Sequence, residues 1–328
     1  MRLPQSLPVE RAAGDRERRL DVRDILARYG TFIALVLLVV VAATLSPRFL
    51  SPVNLMNVFR QVAIVGVLGI GMTFVILTAG IDLSVGAALA LSAVLLAGTL
   101  ESTGNMWLAM LVALLAGMAV GLANGIGVTL GRVQPFVMTL GMLGIARSIA
   151  FLYTGGEPIP VLDMRFLNLG IGYVWRIPIP AIIFVVMLIV AAFVLRYTPF
   201  GRMVYAVGSN EEAARLSGIE VGRVKTAVYM ISGLTAAVSA IMYCSQFASA
   251  PAIAGEGYEL DAIAAVVVGG TSLFGGQGGV IGTFLGALII GILSNILNLT
   301  GVSPFAQPLA KGALIILAVW IVGRGHRG

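Results

Sequence analysis

The chain has 328 residues, of which 59% are hydrophobic and 11% charged, with a mean hydropathy of +1.00 and a formal net charge of +6. That balance excludes a water-soluble globular enzyme. Each helical crossing of a bilayer takes roughly 20 apolar residues, so the expected fold is all-α: a polytopic membrane helical bundle of about ten transmembrane helices. Glycine occurs 41 times, often inside apolar runs where it lets helix backbones approach closely. The single cysteine, Cys244, cannot form an intrachain bridge, and the single histidine, His326, lies third from the end. Thiol, zinc and histidine-base chemistry therefore have little to draw on, and no cofactor or metal is implied. A nucleic-acid partner is not expected either, because such a face needs cations grouped with aromatics on a soluble surface.

Residues 1–28 form a polar tail with seven arginines and five acids, in which Val22, Ile25, Leu26 and Tyr29 have the spacing of a short amphipathic helix lying on lipid. Apolar runs then predict spans at 31–45, 62–78, 83–100, 106–130, 135–153, 177–195, 226–248, 260–273, 280–299 and 304–322. The transmembrane domain is thus 29–323, and 324–328 is a short tail. An even number of spans puts both termini on one side of the membrane. The loop 196–225 carries five Lys or Arg and is expected on the cytoplasmic side with them. Arg48, Arg60, Arg165 and Arg176 fall on the outer side, against the trend.

Asp82, in "TAGIDLSVG" (78–86), is an isolated acid within an apolar region. An ionisable group there faces the bundle interior, a cavity or an interface, and so reads as a pathway or gating residue at a helix break. It also reads as the cap of the third span, with Ser84 nearby, and the two readings are compatible. In "VGSNEEAARLSGIE" (207–220), Asn210 is placed to cap a short helix, with Glu211 and Glu212 at its positive end and Gly218 as its stop. Small Ala213 and Ala214 suit docking into a partner's groove, and a solvated connector is the competing reading. Glu259 and Asp261 open a helix from the outer side, and six glycines between Gly269 and Gly279 imply a hinge or re-entrant turn, or else a close crossing. Asn124, Arg147, Asn295, Asn298 and Lys311 are further polar groups in or near spans, open to a pathway role or to interhelical bonding. The candidate pathway residues are Asp82, Asn124, Glu259, Asp261, Asn295 and Lys311.

The segments "GMTFVILTAGIDLSVG" (71–86), "GRVQPFVMTLGML" (131–143), "VGSNEEAARLSGI" (207–219) and "GYELDAIAAVVVGGTSLFGGQGG" (257–279) resemble the permease subunits of bacterial ABC importers of the ribose and related monosaccharide type. The resemblance runs from about Leu45 onward, and "LTAGIDLS" looks like the sugar branch rather than the branched-chain amino-acid branch. It implies an inner-membrane permease that is not itself an enzyme. It further implies a second permease copy, identical or not, a periplasmic sugar-binding protein that delivers substrate, and separate ABC ATPase subunits. Residues 207–219 match the coupling segment, which assigns contact with the ATPase to Gly208, Asn210, Glu211, Ala213, Ala214 and Gly218. The function expected is import of a monosaccharide, ribose or a related pentose. Another sugar, a nucleoside or a furanosyl signal is the alternative within the class, and a self-sufficient secondary carrier or channel is the alternative outside it.

Overall fold

A computed structural model describes residues 22–303, 305–313 and 316. The polar tail up to residue 21, nine of the nineteen residues of the expected span 304–322 and the tail 324–328 lie outside the described residues, while 307–313 of that span are helical.

The helices, in order, are α1 (Val22–Leu45), α2 (Pro52–Leu77), α3 (Val85–Thr103), α4 (Met106–Thr129), α5 (Pro135–Thr154), α6 (Met164–Ile171), α7 (Ile179–Tyr197), α8 (Pro199–Ser209), α9 (Glu211–Leu216), α10 (Val221–Phe247), α11 (Tyr258–Val268) and α12 (Val280–Leu299). Four two-residue strands, β1 (Ile159–Pro160), β2 (Tyr173–Val174), β3 (Ile177–Pro178) and β4 (Ser249–Ala250), lie in the loops. Seven of the helices, α2, α3, α4, α5, α7, α10 and α12, are long and apolar enough to cross a membrane. The chain is a helical polytopic membrane bundle. Helix α1 adds a shorter apolar stretch from Tyr29 to Leu45.

Helix ends follow capping chemistry rather than hydropathy. Helix α2 starts ten residues ahead of its apolar run, because Ser51 accepts the Asn54 amide at 3.4 Å and Pro52 supplies the first helical position. Asn105 caps α4 by accepting the Trp107 and Leu108 amides at 3.0 and 3.2 Å. The span expected at 260–273 is not one continuous helix. Helix α11 has only 11 residues, about 16 Å at 1.5 Å per residue, and the chain turns where Gly270, Gly275, Gly276 and Gly278 take positive φ.

Helices α2, α3 and α10 form the inner layer: 83% of the apolar window of α2 is buried, against 17% for α5. From Val62 to Leu77 α2 is apolar on all sides apart from Thr73, so this part has no polar face to turn outward and occupies the centre. Helix α4 meets α10 along Gly117, Gly121 and Gly125, one residue per turn. A β-carbon on Gly117 would strike the Gly233 carbonyl, one on Gly121 the Tyr229 carbonyl, and one on Gly125 would fall 2.7 Å from the Thr226 α-carbon.

At one end of the bundle β1 pairs antiparallel with β4, tying the 155–163 loop to the turn after α10. Two of the arginines that break the charge trend are used here. Arg60 donates to the Ile171 carbonyl at 2.8 Å and stacks over the Tyr173 ring, and Arg165 pairs with Asp163 at 3.1 Å. The Arg165 guanidinium holds the Asp163 carboxyl below its ordinary range.

Gly121→Val should lower stability in detergent by about 1–3 kcal/mol, the usual cost of overpacking. Gly141→Val, on α5 where nothing lies within 4 Å of a new β-carbon, should leave the thermal midpoint unchanged. Equal midpoints for the two variants would contradict the close α4–α10 crossing.

Candidate functional site

The break between α2 and α3 holds a buried polar knot. Asp82 is 1% exposed. One of its carboxyl oxygens accepts the Ser84 hydroxyl at 2.6 Å and the Ser84 amide at 3.0 Å, and the other accepts the Ser232 hydroxyl at 2.7 Å. Asn124, on α4, donates to the Ser84 hydroxyl oxygen at 2.8 Å and approaches Asp82 at 3.5 Å. The Ile81 carbonyl takes hydroxyls from Thr139 of α5 at 3.3 Å and Tyr229 of α10 at 3.5 Å. Asp82 therefore closes a local turn ahead of α3, which begins at Val85, and also ties that turn to α4 and α10. Sequence order alone brings in only Ser84. Ser232 lies 150 residues away and looks like any other serine in an apolar run, so only the close α4–α10 packing reveals it.

The remaining candidates separate into other groups. Asn295 exchanges two hydrogen bonds of 2.9 Å with Asn54, joining α12 to the start of α2. Glu259 accepts the Gly257 amide at 3.3 Å, and its other oxygen is buried against Gly86. Arg147, reaching from α5, donates to the Ala252 and Ala254 carbonyls at 2.7 and 2.8 Å and so holds that same turn. Asp261 pairs with Lys311 at 2.7 Å.

At the opposite end from the β1–β4 pair, the short helix α9 forms as the sequence implies. Asn210 accepts the Ala213 amide at 2.9 Å, Glu211 and Glu212 occupy the first turn, and Gly218 ends the segment at φ +84°. Glu211 is bonded to both Arg215 and Lys225. The two alanines differ: Ala214 is buried against its own chain and Ala213 is exposed, so a bulky group at Ala214 would disturb this chain rather than a partner. The outward apolar residue of α9 is Leu216, 81% exposed. Beside the helix lies a groove of about 1020 Å³, lined by Arg132, Gln134, Arg215 and Lys225 among others.

Just ahead of α9, Gly208 sits where a β-carbon would strike the Leu77 carbonyl and fall 2.6 Å from the Gly276 amide nitrogen. That amide donates to the Leu77 carbonyl at 3.0 Å, and Tyr205 donates to the Gly278 carbonyl at 2.9 Å. Helix α8 and the glycine turn thus grip the end of α2, five residues from Asp82.

Residues 54–319 match the family described as branched-chain amino acid transport system / permease component. The chain belongs to this permease family. It is 47% identical to the ribose import permease protein of Bacillus subtilis, covering 92% of this chain and 95% of that protein. Identity to the ribose import permease protein of Haemophilus influenzae is 44%, over 88% of this chain and 91% of the relative. The D-allose transport system permease protein of Escherichia coli is 36% identical, over 89% and 90%. No solved structure matches. The chain is a multi-pass membrane permease, and the family groups it with transporter subunits rather than enzymes.

Asp82→Leu removes the acceptor of three hydrogen bonds in a buried knot, and stranding such donors costs about 1–3 kcal/mol each. It should lower stability in detergent by several kcal/mol, whereas Asp82→Asn, which keeps an acceptor, should lose less than half as much. Thermal unfolding of the two variants measures this, and equal losses would mean that the knot does not hold the break.

Proposed function

We propose that this chain is the membrane-spanning subunit of an ATP-driven importer that moves ribose, or a closely similar monosaccharide, into the cell. The relatives with the highest identities above are ribose import permeases matched over nearly their full length, which supports the substrate. The observation that carries the energy source is the placement of α9. It is a capped, charge-stabilised helix too short to be stable alone, starting three residues beyond Gly208, which with Gly276 grips the end of α2. A partner that pushed on α9 would move the end of α2 directly.

In this reading the ATPase contacts Gly208, Asn210, Glu211, Ala213 and Gly218, with Leu216 as the exposed apolar contact and Ala214 as the residue that seats the helix on its own chain. The loop 196–225 and both termini face the cytoplasm, and the end carrying the β1–β4 pair receives sugar from a binding protein. A second permease copy completes the translocation path. Asp261 and Lys311 belong to that path, while Asp82, Asn124 and Asn295 hold its walls in place.

Leu216→Asp should abolish co-purification of the cognate ATPase and reduce ribose uptake at least tenfold, with the permease still inserted and folded. Ala213→Arg should do the same. Wild-type ATPase capture and uptake in both variants would remove the coupling role and leave a self-powered carrier as the better reading.

A further inference from the structure

A second polar group collects in the half of the bundle away from α9. A cavity of about 220 Å³ opens between α2, α10, α11 and α12. Its α2 wall, Gln61 to Val65, lies 12 or more residues from Leu77, at least about 18 Å along the helix. Four observations define its chemistry. The Asp261–Lys311 pair lines it, and at 2.7 Å the two charges cancel while the ammonium keeps further N–H groups to donate. Amides and a hydroxyl surround the pair: Gln61, Gln246, Ser294 and Asn298, the last held by a 2.7 Å bond from Gln307. The side-chain oxygen of Gln246 is buried and has no hydrogen-bond partner among the described residues. Phe247 and Tyr258 supply ring faces, with Tyr243 wedged beside them at centroid distances of 4.7 and 6.5 Å.

Polar groups enclosed among apolar helices are costly unless they find partners. A ligand that repairs this carries several hydroxyl donors and acceptors, no net charge, and one C–H-rich face for the rings. The volume, below the roughly 300–1,000 Å³ of drug-sized pockets, admits one small molecule. We infer that this cavity is the permease's own monosaccharide site, with the Gln246 side-chain amide and the Asp261–Lys311 pair bonding its hydroxyls. The inference rests on the importer reading and deepens it. An amino acid fits badly: its two charges need free counter-charges, whereas here Asp261 and Lys311 already satisfy each other.

The test uses the full chain in nanodiscs, with Ser294→Cys placed in a Cys244→Ala background; Cys244 is fully buried, so its loss leaves the surface unchanged. The rate of modification at position 294 by a small neutral thiol reagent is followed with D-ribose, L-leucine or glycerol added. D-ribose should slow labelling at least threefold while leucine and glycerol do not. Adding Gln246→Leu should abolish the ribose effect without changing the basal labelling rate, and Gln246→Asn should keep part of it. No protection by ribose, equal protection by leucine or glycerol, or protection that survives Gln246→Leu would each overturn the assignment. Ribose uptake by the wild-type permease, reconstituted with its ATPase and binding protein, is read in parallel. Uptake without protection sinks the site and leaves the importer standing, whereas absence of uptake sinks both.

Discussion

Turning the chain between two helices inside a packed bundle strands backbone and side-chain polar groups where no water can reach them, and the knot around Asp82 is how this chain meets that constraint. Between Thr78 and Ser84 the backbone leaves the helical path, with Ala79 at φ +58°. Asp82 gathers Ser84 and Ser232, while the exposed carbonyl of Ile81 takes two hydroxyls. Because those partners come from α4, α5 and α10, the break fixes three helices at once. It also sets where α3 begins, and so brings Gly86 against Gly255 and Glu259. Arg147 then secures the same turn from α5. The position of the turn before α11 is thus a consequence of the knot.

Helix α2 links the proposed sites. One of its ends is held by Gly208 and Gly276, the knot follows directly after that end, and its opposite half forms a wall of the polar cavity. Buried almost without a gap from Val62 to Leu77, that stretch can shift as a rod but has little room to bend. A displacement at α9 therefore needs no long relay of loose contacts to reach the cavity. The close glycine crossing of α4 on α10 plays the complementary part, since it holds Asn124 and Ser232 at bonding distance from Asp82 whatever the ends of α2 do.

Much of this was legible in the sequence because its causes are local. Composition yields the helical membrane bundle, and Asn210 with Gly218 yields α9 to within a residue of its observed end. The isolation of Asp82 marks the break. Local signals fail where the cause is remote. The apolar run at 260–273 reads as one helix, yet α11 stops at Val268, and left-handed glycines beyond it carry the chain on to the Leu77 carbonyl that receives the Gly276 amide. Ala213 and Ala214 look equivalent in sequence, and only the packing beneath α9 separates the inward residue from the outward one. Gln246 carried no signal at all, since a single amide near the end of an apolar helix has no periodicity or motif to mark it.

The same geometry bears on what drives transport. A carrier powered by an ion gradient needs a charged or ionisable group that meets water from each side in turn and changes its occupancy there. Asp82 is sealed, with both carboxyl oxygens already bonded to serines and its nearest neighbours equally buried. Opening it would dismantle the hold on three helices. Asp261, the acid that does face a cavity, is held by Lys311, and the pair is neutral as a unit. Neither acid combines access with a vacant charge. The bonding of these two acids gives no support to an ion-driven carrier and agrees with the proposal that the work of transport enters at the end where α9 stands against α2.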